Sequence, residues 1–243
     1  MEVVHERAGA DAKETMETLL VELCGSSGEV IPREEWETFL VAYFRRHAEQ
    51  TANMFVICPS TPAQYFHALR RQVNLPYRIP LVILTPKFLL HHKPCTSALA
   101  DFGPTKFFNR VITDGKNADN TRHLLKDKQT GQDILVAPPA MRRVIMCTGQ
   151  AYYHLSNERK RRKLRDVILV RLEQIAPFPH DILLQTITRY PNADFVWYQE
   201  EPKNMGAWRY VRPRLQTALK HFVSSGVVMS KLIYVLYVFP FFF

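Results

Sequence analysis

Five short apolar runs constrain this chain more than any other feature: Met54–Cys58 (MFVIC), Leu81–Thr85 (LVILT), Val144–Cys147 (VIMC), Val167–Leu172 (VILVRL) and Phe195–Gln199 (FVWYQ). Each is strand-length and apolar at both parities, as a strand buried on both faces must be. The segments between them carry helical spacing. Thr61 and Pro62 supply a cap and a first-turn proline. They open a helix to about Val73, with Tyr65, Phe66, Leu69 and Val73 expected to face inward. Gln150–Arg165 places Tyr152, Tyr153 and Leu155 inward, and Asp181–Tyr190 places Ile182, Leu183 and Ile187 on one stripe. A last helix is expected at 206–221, where Pro213 either kinks it or limits its first turn. This alternation predicts an α/β fold: a mainly parallel five-stranded sheet with helices on both faces. Ligands of such sheets meet the carboxyl ends of the strands. Those ends hold Ser60-Thr61, Thr85-Pro86-Lys87, Thr148-Gly149, Glu173-Gln174 and Gln199-Glu200-Glu201.

Charge divides the chain. Residues 1–50 hold eleven acids against five bases, and the net +9 of the whole leaves +15 for residues 51–243. Residues 1–50 read as a helical acidic appendage, either a hairpin packed on the main domain or a non-native addition. Residues 51–221 form the main domain. Residues 222–243 read as an apolar tail. Its run Leu232–Phe243 is twelve residues, against the roughly 20 a membrane-spanning helix needs. A non-native extension is therefore favoured over a membrane anchor. Phe88–Asp133 is an irregular insertion with a short helix expected at Thr121–Lys128. Cys24, Cys58, Cys95 and Cys147 show no metal-binding spacing. Cys58 and Cys147 lie in apolar runs and read as buried thiols in a reducing compartment.

Several residues invite a functional reading, each beside a plainer one. The Thr148-Gly149-Gln150 turn opens a helix and could hold a phosphate, or is a simple tight turn. His91-His92 suggests a metal, against exposed loop histidines. Glu158–Arg165 could be a nucleic-acid patch, but no aromatics interleave its bases and a solvated helix end fits it. No nucleic-acid partner is expected. Glu200 and Glu201 could be general acid or base, or carboxylates holding a turn. Arg70, Arg71 and Lys87 could converge on an anionic ligand, or are unpaired surface charge.

Five ordered blocks carry a resemblance to a known family: STPAQYFHALRRQ (60–72), RIPLVILTPKFLL (78–90), VIMCTGQAYYHL (144–155), VRLEQIAPFPHDIL (170–183) and WYQEEPKNMGAW (197–208). Residues from about 53 to 220 resemble the C-terminal domain of the decarboxylating component of 2-oxoglutarate dehydrogenase. The similar 2-oxoadipate dehydrogenase is an alternative. The resemblance implies a transketolase C-terminal-like domain in an enzyme using thiamine diphosphate and magnesium. Such an enzyme decarboxylates a 2-oxo acid and passes the acyl group to the lipoyl arm of a partner acyltransferase. It further implies a homodimer, or pairing with a full-length subunit, in the mitochondrial matrix of eukaryotes or the bacterial cytoplasm. The family's catalytic residues and metal ligands lie upstream of the matched blocks, so none is carried over and the chain is expected to be inactive alone, with no cofactor bound. Met205 stands where the family has Gln. Some relatives bind acetyl-CoA on this domain, which makes Arg70, Arg71, Lys87 and Gln199 the candidate acyl-CoA or phosphate ligands. The alternative to a fragment is a stand-alone dimerisation or regulatory module.

Overall fold

The computed structural model describes residues 52–114, 135–224 and 232–236. The appendage at 1–50, Cys24, the helix expected at Thr121–Lys128 and residues 225–231 and 237–243 of the tail lie outside the described residues. The described residues hold eight strands: β1 (Phe55–Ile57), β2 (Leu81–Ile83), β3 (Val111–Thr113), β4 (Arg143–Cys147), β5 (Val167–Leu172), β6 (Gln174–Ala176), β7 (Asp194–Gln199) and β8 (Leu232–Leu236). Among the described residues four α-helices accompany them: α1 (Pro62–Asn74), α2 (Ala151–Arg161), α3 (His180–Arg189) and α4 (Trp208–Ser224).

The strands form two mixed sheets, ordered β2-β1-β6 and β3-β5-β4-β7-β8. This corrects the expected single five-stranded sheet. In the smaller sheet β1 is parallel to β2 and antiparallel to β6. In the larger, β5, β4, β7 and β8 are parallel neighbours, with β3 antiparallel on β5. The reason lies in residues 167–176. This stretch gives β5 to one sheet and β6 to the other, with Glu173 alone between them. The β1–α1–β2 unit therefore pairs with β6 and not with β4. Leu232–Leu236 belongs to the stretch set apart as a tail, yet pairs along β7 from Phe195 to Gln199.

Alternation along the larger sheet sorts its two faces. Val144, Met146, Ile168, Val170, Phe195 and Trp197 pack with Leu183 and Ile187 of α3 and Trp208, Val211 and Leu215 of α4. Ile145, Cys147 and Tyr198 point the other way and meet Ala151, Tyr152 and Leu155 of α2. Helices thus cover both faces, as the fully apolar strands require. Cys58 and Cys147 are both buried.

Helix α1 begins as expected. Thr61 is extended and its hydroxyl accepts from the Gln64 N–H, with Pro62 first in the helix. Its orientation is a correction. Tyr65, Phe66 and Leu69 are each 42% exposed and Val73 is 75% exposed, while Ala63, Gln64, His67 and Ala68 are buried. Ala68 lets the helix approach Ile57 and Phe108 closely. Polar anchors fix that face: Gln64 Oε1 accepts from the Asn109 N–H at 2.9 Å, and His67 Nε2 lies 2.7 Å from the Asp101 carbonyl. These two hydrogen-bonded anchors, with the close approach at Ala68, outweigh an apolar stripe read from spacing alone.

Candidate functional site

In the larger sheet β5 and β7 flank β4 on opposite sides. The chain leaves β4 toward one neighbour and later reaches the other, so the carboxyl end of β4 is a topological switch point, where open α/β sheets place ligands. Gly149 makes the turn there at φ 55°, and a Cβ on it would stand 3.0 Å from Cys58 Sγ. Only glycine fits both the left-handed backbone and the close approach of the β1 segment.

Beside this turn runs a buried chain of polar groups joining the two sheets. Glu173 is fully buried, and its carboxylate accepts from the Ser60 N–H at 2.7 Å and from the Ser60 hydroxyl. Arg171 donates to that hydroxyl at 2.8 Å. Its guanidinium lies 4.1 Å from the centre of the Tyr152 ring. The Tyr152 hydroxyl donates to Asp114 at 3.0 Å, and Arg159 pairs with Asp114 at 2.7 Å. The Ser60 carbonyl accepts from the Tyr153 hydroxyl at 2.7 Å, while the Cys58 N–H donates to the Glu173 carbonyl at 2.7 Å.

Burial pushes the Glu173 carboxyl up, against the opposing pull of Arg171 and Ser60. For Arg171, burial favours the neutral form, but Tyr152, Glu173 and Asp114 outweigh it and hold the charge. Burial, with Asp114 adding to it, pushes the Tyr152 hydroxyl up to about 12. These groups partner one another, as buried polar groups tend to, with Arg171 Nε the exception, having no hydrogen-bond partner among the described residues. The chain they form is a weld between sheets.

The second cluster is more open. The Glu200 carboxylate accepts from Gln150 Nε2 at 2.6 Å and lies 3.8 Å from His154 Nε2. Burial raises its pKa, Gln150 and His154 oppose that, and Glu201 adds to it. Phe88 bridges His154 and His92, with ring centres 6.0 Å and 4.6 Å away, and His92 meets the edge of Tyr153. At 3.8 Å the Glu200–His154 contact is longer than a hydrogen bond. The two buried thiols are held neutral: burial pushes Cys58 up to about 12 and pushes Cys147 higher still. Among the described residues no group of three His, Cys, Asp or Glu side chains could hold a metal ion.

The structure does not bring the four candidate ligands together through shared partners. Arg70 donates to the Gly103 and Lys106 carbonyls, tying down the loop after β2. Arg71 is sandwiched between the Phe55 and Phe108 rings, 4.7 and 4.4 Å from their centres, and donates to Gln174 at 2.7 Å. Lys87 is exposed at the start of a short 3-10 turn, Lys87–Leu90. Gln199 is 2% exposed and organises the 199–208 turn. Its Nε2 donates to the carbonyls of Glu201, Pro202 and Met205, and its Oε1 accepts from Trp197 Nε1 and the Trp208 N–H. In the basic run, Glu158 pairs with Arg161 and Arg162, and Arg159 turns inward to Asp114. The Ser60–Glu173–Arg171 weld escaped sequence reasoning. The available signal was a charged pair inside VILVRLEQIA, since charges in a strand covered on both faces need partners.

Comparison with known proteins gives the family. Residues 96–235 match the 2-oxoglutarate dehydrogenase C-terminal family, and residues 37–93 match the transketolase pyrimidine binding domain. The boundary between the two matches falls inside the stretch that sequence reading treated as one domain. The 2-oxoglutarate dehydrogenase E1 components of Brucella ovis, Brucella canis and Brucella melitensis are each 43% identical over 171 residues, 70% of this chain. The chain spans 16% of the length of these relatives. With more than half of its residues inside one family match, and Glu173, Arg171 and Gln199 all within it, the chain belongs to the 2-oxoglutarate dehydrogenase C-terminal family.

Proposed function

We propose that this chain acts as the C-terminal scaffold of a thiamine-diphosphate-dependent 2-oxoglutarate dehydrogenase component. That component decarboxylates 2-oxoglutarate and passes succinyl to a lipoyl group, as in the tricarboxylic acid cycle. The observation that carries the reading is the weld. Ser60 lies in the segment matching the pyrimidine binding domain, and Arg171 and Glu173 lie in the C-terminal family segment. The buried charges fasten one domain type to the other, and among the described residues the deeply buried carboxylates Asp114 and Glu173 are committed to that chain of contacts. The larger sheet is the transketolase-type C-terminal unit in this reading.

Thiamine diphosphate needs a divalent ion for its diphosphate, and the described residues do not fit that group. They offer no metal-binding cluster, and the buried carboxylates Asp114 and Glu173 are committed to Arg159 and to Ser60 with Arg171. No step through the cofactor is assigned to this chain. Its contribution is to hold the domain junction and to present an interface. Tyr65, Phe66, Leu69 and Val73 of α1, with Leu90, Leu99 and Phe107, are large apolar side chains left exposed. An apolar surface of this extent supports cover by a second copy or by the rest of the component. An acyl-CoA site at Arg70, Arg71, Lys87 and Gln199 has less support, because three of the four spend polar atoms on internal partners.

Co-expression with a Brucella relative truncated before its matching C-terminal region tests the proposal. Joint purification with restored carbon dioxide release from 2-oxoglutarate is the expected result. A truncated relative that neither binds the chain nor gains activity overturns it.

A further inference from the structure

The turn that Gln199 organises shapes one wall of a groove of about 510 Å³. Lys203 and Asn204 line it from the turn, and Trp208, Arg209, Arg212, Pro213 and Gln216 line it from the first turns of α4. Three cations face one small space, and none of the lining residues is acidic. None of the three is paired with a described carboxylate. The Glu201 carboxylate lies against Gly206, 3.0 Å from where a Cβ there would stand, and is not part of the lining. The Arg212 guanidinium sits 6.0 Å from the centre of the Trp208 indole, which supports its position over an apolar floor.

We propose that this groove binds a small multivalent oxyanion, of the phosphate-ester or polycarboxylate class. Like charges lining one cleft repel unless an anion joins them, and a cleft with low-dielectric walls concentrates their field. Guanidinium groups present flat, forked donors that match carboxylate and phosphate oxygens in pairs. The side-chain amides of Asn204 and Gln216 add donors for further oxygens. The wall is built before any ligand arrives. Gln199 Nε2 holds the carbonyls at 201, 202 and 205, and its Oε1 holds the Trp208 N–H, so the turn and the helix start are one rigid piece. A preformed site avoids the ordering cost that weakens binding by mobile loops. The lining comes from residues 203–216 alone, which suits a small molecule. The inference does not depend on the decarboxylase reading.

The test is calorimetric titration of the full chain with pyrophosphate and, separately, with tricarballylate, a compact tricarboxylate. Saturable one-to-one binding is expected. Arg209→Gln with Arg212→Gln is expected to weaken it at least tenfold. Lys160→Gln with Lys163→Gln removes the same charge from the exposed basic run and is expected to change it less than twofold. Tighter pyrophosphate binding assigns the phosphate-ester class, and tighter tricarballylate binding assigns the polycarboxylate class. Equal losses in both double variants would reduce the groove to general attraction by a basic chain and overturn the proposal, as would the lack of saturable binding. Circular dichroism checks that the groove variant folds. If it does not, Lys203→Gln on the turn replaces it, with a loss of threefold or more expected and an unchanged affinity counting against the site.

Discussion

Replacing Arg171 by methionine keeps most of its volume but strips the buried chain of its central cation. Arg171 donates to the Ser60 hydroxyl at 2.8 Å and lies over the Tyr152 ring, and the Ser60 hydroxyl in turn donates to the fully buried Glu173. Removing one member of a buried charge pair costs about 3–5 kcal/mol, because the other is left uncompensated. Arg171 retains some solvent exposure, which places the expectation at the lower end, about 3 kcal/mol. For a folded region of this size that lowers Tm by about 6–12 °C. Glu173→Gln keeps the acceptor for Ser60 and is expected to cost about 1–2 kcal/mol. The double variant should then lose less than the sum, by about 1–2 kcal/mol of coupling.

The pH dependence sharpens this test. The Glu173 carboxyl is raised above its ordinary value of 4.5 by burial. The folded state therefore binds more protons than the unfolded one between 4.5 and the raised value, and stability falls as pH rises through that window. Arg171→Met raises the folded value further, extending the fall to higher pH, while Glu173→Gln removes this component. Urea unfolding followed by tryptophan fluorescence between pH 4.5 and 8 reads all four proteins. Additive losses, or a pH slope unaltered by Glu173→Gln, would refute the weld.

Other consequences follow from single positions. Gly149→Ala forces a side chain into φ 55° and against Cys58 Sγ at 3.0 Å, so urea denaturation should show a loss of about 1–2 kcal/mol or more. Gln199→Ala strips three carbonyls and two N–H groups of their partner; a loss of about 2–4 kcal/mol is expected, with a red shift in tryptophan emission as water reaches Trp208. Cys58 and Cys147 should resist iodoacetamide at pH 8 in the folded chain, since burial disfavours both thiolates, and peptide mapping should find Cys95 alkylated before either. Arg161 and Arg162 hold the exposed Glu158 carboxyl down to about 2. Its interaction with them should therefore persist above its ordinary value and fade only as pH falls toward 2, as a carboxyl-carbon NMR titration would show.

The strands of this fold were readable where they are long and apolar. β4, β5 and β7 each run five or six residues, and their apolar character at both parities pointed to helices on both faces. The strands β3 and β6 were not readable: β3 lies inside the stretch read as an irregular insertion, and β6 follows β5 after a single residue with no turn signal between them. The division into two sheets was hidden for the same reason: it depends on one residue, Glu173, separating β5 from β6. Helix α1 shows a different limit. Its apolar stripe is real, but Gln64 and His67 find backbone partners on the opposite side, and an exposed stripe is consistent with an interface. Gln199 was found for its position at a strand end, while its role is visible only when the carbonyls it gathers are in place. Arg70 and Arg71 are adjacent in sequence, but one holds a loop and the other is stacked between two rings.

In the proposed function this chain supplies the scaffold of a 2-oxo acid decarboxylase and not its chemistry. The direct measurement is release of labelled carbon dioxide from 1-labelled 2-oxoglutarate by the purified chain with thiamine diphosphate and magnesium. The claim requires release no faster than in buffer with cofactor and metal. Saturable, enzyme-dependent release that vanishes when either is withheld would contradict it.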